Sequence, residues 1–223
     1  MHGRMGRVTH PYWPVLDIRL RVGDLELSPM TEADLAPLAD LLPDDLELDP
    51  AATTYTGLTA PLTDRVARGT VLHQGYWKAY GTWSPEAWRL SFVVRQGDAV
   101  IGVQELEGND FARLRTLDSS SFLVVASRGH GLGRQMRQAV LALGFGPLGA
   151  QAAVTEAWHD NHASLGVSRA LGYLPNGEAL HRRDDGTDTM VHLRLTRADW
   201  LASGRADAVE IIGAEPALAY FGL

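Results

Sequence analysis

The most informative part of the sequence is Ser121-Phe-Leu-Val-Val-Ala-Ser-Arg-Gly-His-Gly-Leu-Gly-Arg-Gln-Met136. Its apolar first half is typical of a strand, the glycines that follow are typical of a turn, and the last residues begin a helix. Glycine lets the backbone approach a ligand closely, and the free amides at the start of a helix attract an anion. The stretch therefore predicts a turn suited to a pyrophosphate, with three cationic side chains nearby: Arg128, Arg134 and Arg137.

Two other interpretations of this turn are open at this point. A glycine-rich turn can serve the chain alone and bind no ligand. The other interpretation is a dinucleotide-binding fingerprint. It fits poorly, because its third glycine would fall at Arg134 and the stretch does not belong to an N-terminal βαβ unit.

The composition narrows the class of protein. The 223 residues are 45% hydrophobic and 21% charged, which is typical of one globular domain with a sizeable core. The net charge of −7 argues against direct nucleic-acid binding, which depends on neutralising phosphates. The chain has no cysteine, which excludes disulfides and thiolate metal sites, and its single lysine, Lys78, disfavours Schiff-base chemistry.

The same composition bears on where the protein works. No apolar run reaches the roughly 18 residues of a membrane span. The first 14 residues carry arginine and histidine but lack the apolar centre of a secretory signal. We therefore expect a cytoplasmic protein without a membrane partner.

Hydrophobic periodicity predicts the other elements on both sides of the glycine-rich stretch. A hairpin over residues 16–28 precedes two helices, the first capped by Thr31 with Asp34 and the second over residues 62–80, with a loop over 43–61 between them. The remaining strands are expected over residues 88–95, 99–106, 116–126, 152–157, 178–183 and 187–195, and the remaining helices over 131–145, 161–171 and from 196. This order predicts an α+β domain on a mostly antiparallel sheet.

A second motif, Asn161-His-Ala-Ser-Leu-Gly-Val-Ser-Arg-Ala-Leu-Gly-Tyr173, begins 28 residues after Gly133. With Arg128-x-x-Gly131-x-Gly133 it resembles the GNAT superfamily of N-acetyltransferases, and most closely the branch that acetylates ribosomal-protein alanine. The resemblance implies a GNAT-like fold with a mixed, mostly antiparallel sheet of six to seven strands flanked by helices. It implies one domain over residues 1–223, with a core over about 25–195 and extensions over 1–14 and 205–223.

The resemblance also implies which residues bind an acyl-CoA. Asn161 and Ser164 would face the pantetheine and its sulfur, while Tyr173 would pack in the core. The strand and the turn would bind the coenzyme mainly through main-chain groups, at Leu123, Val124, Val125, Arg128, Gly129, Gly131, Leu132, Gly133 and Arg134. No metal is implied.

The catalytic groups are expected to be an acid and a base. The family's frequent tyrosine acid would fall at Ser168, so Ser164 is the candidate acid. Two carboxylates are open as the base: Asp118, four residues before Phe122, and Glu105, near the end of the neighbouring strand. Either could instead be a solvent-facing strand residue.

We therefore expect an acyl-CoA-dependent N-acyltransferase in which an amine attacks the thioester directly, with a backbone amide near Val124 polarising the carbonyl. The donor would be acetyl-CoA, although Arg113 and Arg115 leave succinyl-CoA open. The acceptor would be a small molecule or a protein N-terminus, and a homodimer is compatible with the resemblance.

Two other classes of protein are open. One is a module that senses acyl-CoA without turnover, which the missing tyrosine suggests, and the other is a nucleotide-binding protein of another kind.

Overall fold

The computed structural model describes residues 10–46, 65–183 and 185–223. Most of the predicted loop over residues 43–61, the start of the predicted helix over 62–80 and Asp184 lie outside the described residues. The strands are β1 Arg19–Val22, β2 Leu25–Pro29, β3 Ala87–Gln96, β4 Ala99–Asn109, β5 Thr116–Asp118, β6 Ser121–Leu123, β7 Ala152–Trp158, β8 Leu174–Arg183, β9 Gly186–Thr196 and β10 Val209–Ile212. The helices are α1 Glu32–Leu41, α2 Arg65–Gly81, α3 Phe111–Leu114, α4 Leu132–Phe145, α5 His162–Ala170 and α6 Arg197–Ala202.

The described strands form one sheet in the order β10-β1-β2-β3-β4-β5-β7-β9-β8, and β6 pairs with β4. The pairing of β5 with β7 is parallel, and the other pairings in this part of the chain are antiparallel. A parallel pair needs a crossover connection, which α4 supplies. The α+β class with a mixed, mostly antiparallel sheet and flanking helices is confirmed. The described strands number ten rather than six or seven.

Helices cover both faces of the sheet because successive side chains of a strand point to opposite faces. Leu90 and Phe92 of β3 belong to the main core, which includes the apolar side chains of α4. Val93 points the other way and packs with Leu35 and Leu38 of α1. Among the residues described, no helix combines the length and apolar character that a membrane crossing requires.

The strand predicted over residues 116–126 is interrupted at Ser119 and Ser120. Before the interruption, β5 pairs with β4 on one side and with β7 on the other. After it, β6 pairs with β4, whereas residues 155–158 of β7 pair with β9 on one side and with no described strand on the side of β5, so β6 and β7 diverge. We call the space between β6 and residues 155–158 the cleft.

The sequence predicts an extension over residues 205–223. In the structure, these C-terminal residues complete the sheet and the core. β10 pairs with β1 at the edge of the sheet, and Phe221 is fully buried against Trp83 and Trp88. The Trp83 indole N–H donates to the Tyr220 carbonyl at 2.7 Å. The core therefore extends past the predicted limit at residue 195. The elements of the tail are too short to show a clear periodicity.

Phe221→Ala should lower the free energy of unfolding by about 3–5 kcal/mol, because it leaves a cavity beside two tryptophans. Denaturant unfolding measures this loss. The control Leu223→Ala, at a side chain 39% exposed, should change the free energy by less than about 0.5 kcal/mol. A loss at Phe221 as small as that of the control would contradict the place of the tail in the core.

Candidate active site

The glycine-rich turn leads directly into α4. Gly129 and Gly131 have left-handed φ angles of 79° and 78°, which glycine adopts without strain. Gly131 precedes the helix without a side-chain cap. The Arg134 amide donates to the Gly131 carbonyl, whereas the amides of residues 129–133 have no acceptor in the described parts of the chain. Unpartnered N–H groups at the positive end of a helix form a site for a phosphate group.

The three arginines near the turn lie in different surroundings. Arg128 pairs with Asp45 through two contacts of 2.6 and 2.8 Å, which hold the pKa of that carboxyl below its usual range. Arg134 is exposed on the first turn of α4. Arg137 is only 3% exposed and donates to Ser168 of α5, so its charge lies in the interior rather than beside the turn. Position 137 is on the face of α4 that packs into the core.

Backbone groups of β6 line one wall of the cleft. The Val124 amide donates to the Ile101 carbonyl of β4 at 2.9 Å, so it is already bonded within the sheet. Main-chain groups alternate in direction along a strand, so those of Leu123 point away from β4. In agreement, the Leu123 carbonyl accepts from Arg128 Nε at 3.2 Å. The Leu123 amide is therefore a main-chain donor on the edge of β6 that faces the cleft.

The other wall ends where α5 begins. The Asn161 side chain caps this helix by accepting the Ser164 amide at 3.0 Å. The Ser164 side chain is partly exposed, and its hydroxyl has no partner among the residues described. A methyl group at Gly133 would contact both Leu123 of β6 and Val167 of α5 at 3.6 Å. The turn, β6 and α5 therefore meet at one end of the cleft.

Asp118, at the end of β5, has the properties of a general base. Burial raises its pKa to about 7, against a hydrogen bond from the Ser119 amide at 2.6 Å. The carboxylates of Glu107 and Glu156 on the neighbouring strands add to the rise. A carboxylate with a pKa near neutral can accept a proton during turnover and release it afterwards.

Glu105, the other candidate base, already has two hydrogen bonds. One carboxylate oxygen accepts from the Ser91 hydroxyl at 2.6 Å, and the other accepts from the Ser120 hydroxyl at 2.8 Å. Both oxygens of this carboxylate are therefore already occupied by donors of the chain. The geometry therefore favours Asp118.

A buried polar group that the sequence does not predict ties α4 to α5. Arg137 donates to the Ser168 hydroxyl at 2.7 Å, and that hydroxyl donates to the Ser164 carbonyl at 3.0 Å. Ser168, at the position of the expected tyrosine acid, is 1% exposed and belongs to the interior. Tyr173 is buried as well, and burial raises its pKa to about 12. The sequence holds one signal for this buried group: Arg137 is a charged residue at an apolar position of α4, which is uncommon.

The model of the acetyltransferase (GNAT) domain family matches residues 24–174, which is more than half of the chain. The match contains both sequence motifs up to Tyr173. It therefore spans the turn, both walls of the cleft and Asp118.

Solved structures share this fold. RimJ of Mycobacterium smegmatis in complex with CoA-disulfide has a TM-score of 0.64 at 17% identity, covering 86% of this chain and 97% of that one. The ribosomal-protein-S5-alanine acetyltransferase of Vibrio fischeri has a TM-score of 0.62 at 15% identity, covering 82% and 98%. The dodecameric spermidine N-acetyltransferase of Vibrio cholerae has a TM-score of 0.60 at 14% identity, covering 81% and 98%. The TM-scores establish a common fold, and at identities this low they establish the fold alone.

Gly131→Val should lower the affinity for CoA at least about tenfold in a calorimetric titration, equivalent to about 1.4 kcal/mol. Valine would strain the backbone at a φ of 78° and place a branched side chain where the anion approaches. Gly149→Val is the matched control, because it introduces the same kind of strain, at a φ of 66°, in the turn after α4. It should leave the affinity within about twofold.

Arg134→Ala should cost less affinity than Gly131→Val, because the contact at the turn is with main-chain amides. The same titration compares the two variants. Unchanged CoA binding by a folded Gly131→Val protein would refute the assignment of the turn.

Proposed function

Because the chain belongs to the GNAT acetyltransferase family, we propose that it transfers the acetyl group of acetyl-CoA to a primary amine by direct attack within a ternary complex. The observation that carries the proposal is the cleft, which has unpartnered amides at one end and Asp118 near the point of divergence. The first feature suits the pyrophosphate of the coenzyme and the second suits removal of a proton from the amine.

In this proposal the coenzyme lies along β6. Its pyrophosphate binds the amides of residues 129–133, and its pantetheine follows the main chain of Leu123, Val124 and Val125 towards Asn161. Arg128, which pairs with Asp45 at 2.6 Å in this structure, would attract the pyrophosphate once it leaves that carboxylate. The cleft suits this arm because the edges of β6 and β7 that face each other lack a strand partner in the described sheet.

The transfer would need three groups of the chain. Asp118 takes the proton of the attacking amine, and the Leu123 amide, rather than that of Val124, stabilises the oxygen of the tetrahedral intermediate. The amine nitrogen bonds to the carbonyl carbon to give this intermediate, the C–S bond breaks as the intermediate collapses, and the Ser164 hydroxyl, which is partly exposed, passes a proton from solvent to the departing thiolate. Orientation of both substrates supplies much of the remaining rate.

Acetyl is favoured over succinyl as the acyl group. The two arginines that could meet a second carboxylate already have partners, since Arg113 pairs with Asp110 at 3.6 Å and Arg115 donates to the Leu148 carbonyl at 3.4 Å. The acceptor is proposed only as a primary amine, on a small molecule or at a protein N-terminus.

A turnover assay tests the proposal. Acetyl-CoA is mixed with a panel of amines, including a polyamine and an alanine-terminated peptide, and both the free thiol and the mass of the product are measured. Release of thiol together with an acetylated amine supports the proposal. Binding of CoA without release of thiol would instead identify a sensor of acyl-CoA.

Asp118→Asn should remove the acidic limb from the pH profile of kcat/KM. The folded pKa of Asp118 is about 7, so the wild-type rate should fall as the pH drops through 7 and the base becomes protonated. Glu105→Gln should leave this limb in place. If Glu105→Gln alone abolishes the limb, the base is Glu105. If neither variant does, the limb belongs to the substrate amine.

Ser164→Ala should lower kcat by about 10- to 1000-fold, the range expected for loss of an acid catalyst, while CoA affinity stays within a few-fold. Steady-state kinetics and calorimetry provide the two values. Ser164→Thr keeps a hydroxyl at the same position and should retain most of the rate. Equal losses in both variants would show that the hydroxyl does not act as the acid.

A further inference from the structure

Arg137 is the charged side chain that neither the sequence motifs nor the proposed reaction explains. It is 3% exposed and lies on the face of α4 that packs into the core. Within the described residues its recorded hydrogen bond goes to Ser168, and its buried Nε has no partner. A buried guanidinium is costly to desolvate, and no described residue forms an ion pair with it, so the fold retains this group at a loss of stability.

The contacts of Ser168 lead from Arg137 to the cleft. Its hydroxyl accepts from Arg137 at 2.7 Å and donates to the Ser164 carbonyl at 3.0 Å. Ser164 in turn donates its amide to the Asn161 side chain at 3.0 Å. One continuous series of hydrogen bonds therefore joins α4 to the first turn of α5, where two of the proposed coenzyme-facing residues lie.

We propose that Arg137 is a positioning residue which, through Ser168, holds the first turn of α5 with Asn161 and Ser164 in place against α4. This role rests on the proposed function for its effect on the rate, but the contact itself does not depend on which acyl group is transferred. α4 begins at the turn proposed to bind the pyrophosphate, so the link would set the distance between the pyrophosphate and the thiol end of the pantetheine arm.

The charge of Arg137 has a second effect, on Asp118. The groups that act on this carboxyl are Glu107 of β4, Glu156 of β7 and Arg137 of α4, with Tyr173 also close to both Arg137 and Asp118. The two glutamates raise the pKa of Asp118 and Arg137 lowers it. Removal of the positive charge should therefore raise the pKa of Asp118 above 7 and move the acidic limb to higher pH.

Three variants test the role: Arg137→Met, Ser168→Ala and Ser168→Thr. Arg137→Met replaces an unpaired buried charge with an apolar side chain of similar length, so the Tm should stay the same or rise. We nevertheless expect kcat to fall about tenfold, with KM for acetyl-CoA changed by less than about threefold. Ser168→Ala should also lower kcat, and Ser168→Thr, which keeps the hydroxyl, should restore it. Arg169→Met, at an exposed arginine on α5, is the control.

The pH profile separates the two effects. Arg137→Met should shift the acidic limb upward by about half a unit or more, whereas Ser168→Ala, which keeps Arg137 and its charge, should not. A merely structural role would lower Tm and kcat together and leave the limb where it is. That result, or a wild-type kcat in both Arg137→Met and Ser168→Ala, would overturn the proposal.

Hydrogen exchange of the folded protein provides a readout that does not need turnover. Ser168→Ala should reduce the protection of the amides of Ser164 and Leu165 about tenfold without changing α4. If wild-type protein releases no thiol with any amine, the proposed function fails, and this exchange measurement still decides the positioning role. Unchanged protection at both amides would refute it.

Discussion

The divergence of β6 from β7 is the constraint on which the rest of the structure depends. Three parallel register pairs join β5 to β7, and the chain then leaves this pairing at Ser119 and Ser120. Strand edges without a partner must find other hydrogen bonds, because buried backbone groups are costly when unsatisfied. In the proposal, the extended arm of an acyl-CoA supplies those bonds. The turn after β6 and the start of α5 are then placed at the end of the cleft by the strands they follow.

The places where β4 meets β6 and where α4 crosses β5 are set by glycines that allow a close approach. A methyl group at Gly102 of β4 would lie 2.2 Å from the Phe122 carbonyl, so only glycine allows β6 to pair there. A methyl group at Gly144 of α4 would lie 2.3 Å from a terminal methyl group of Leu117, so this buried side chain would have to move where the helix crosses β5. These two glycines have negative φ angles and act through lack of volume, unlike Gly129 and Gly131 of the turn. Packing density in the core therefore sets the position of the cleft walls.

Much of this arrangement could be predicted from the sequence, because the two motifs contain glycine and cap residues whose physical roles are local. The order of strands and helices follows from periodicity in the same way, and the fold class is confirmed. The cluster Asp118-Ser-Ser-Ser121 is itself a loop signal against one continuous strand over 116–126. Which strands the two halves join could not be seen, since that depends on competition between β4 and β7. Three other features could not be predicted either, because each depends on contacts between residues distant in the chain. They are the burial of Arg137, the hydrogen bond from the Val124 amide to Ile101, and the pairing of β10 with β1.

A crystal structure of the protein with acetyl-CoA bound tests the central claim most directly. We expect the pantetheine arm between β6 and β7, the pyrophosphate on the amides of residues 129–133, and the thioester carbonyl within hydrogen-bond distance of the Leu123 amide. Asp118 should then lie on the side from which an amine reaches the thioester. A coenzyme bound elsewhere, or a cleft that the two strands close by pairing with each other, would contradict the claim.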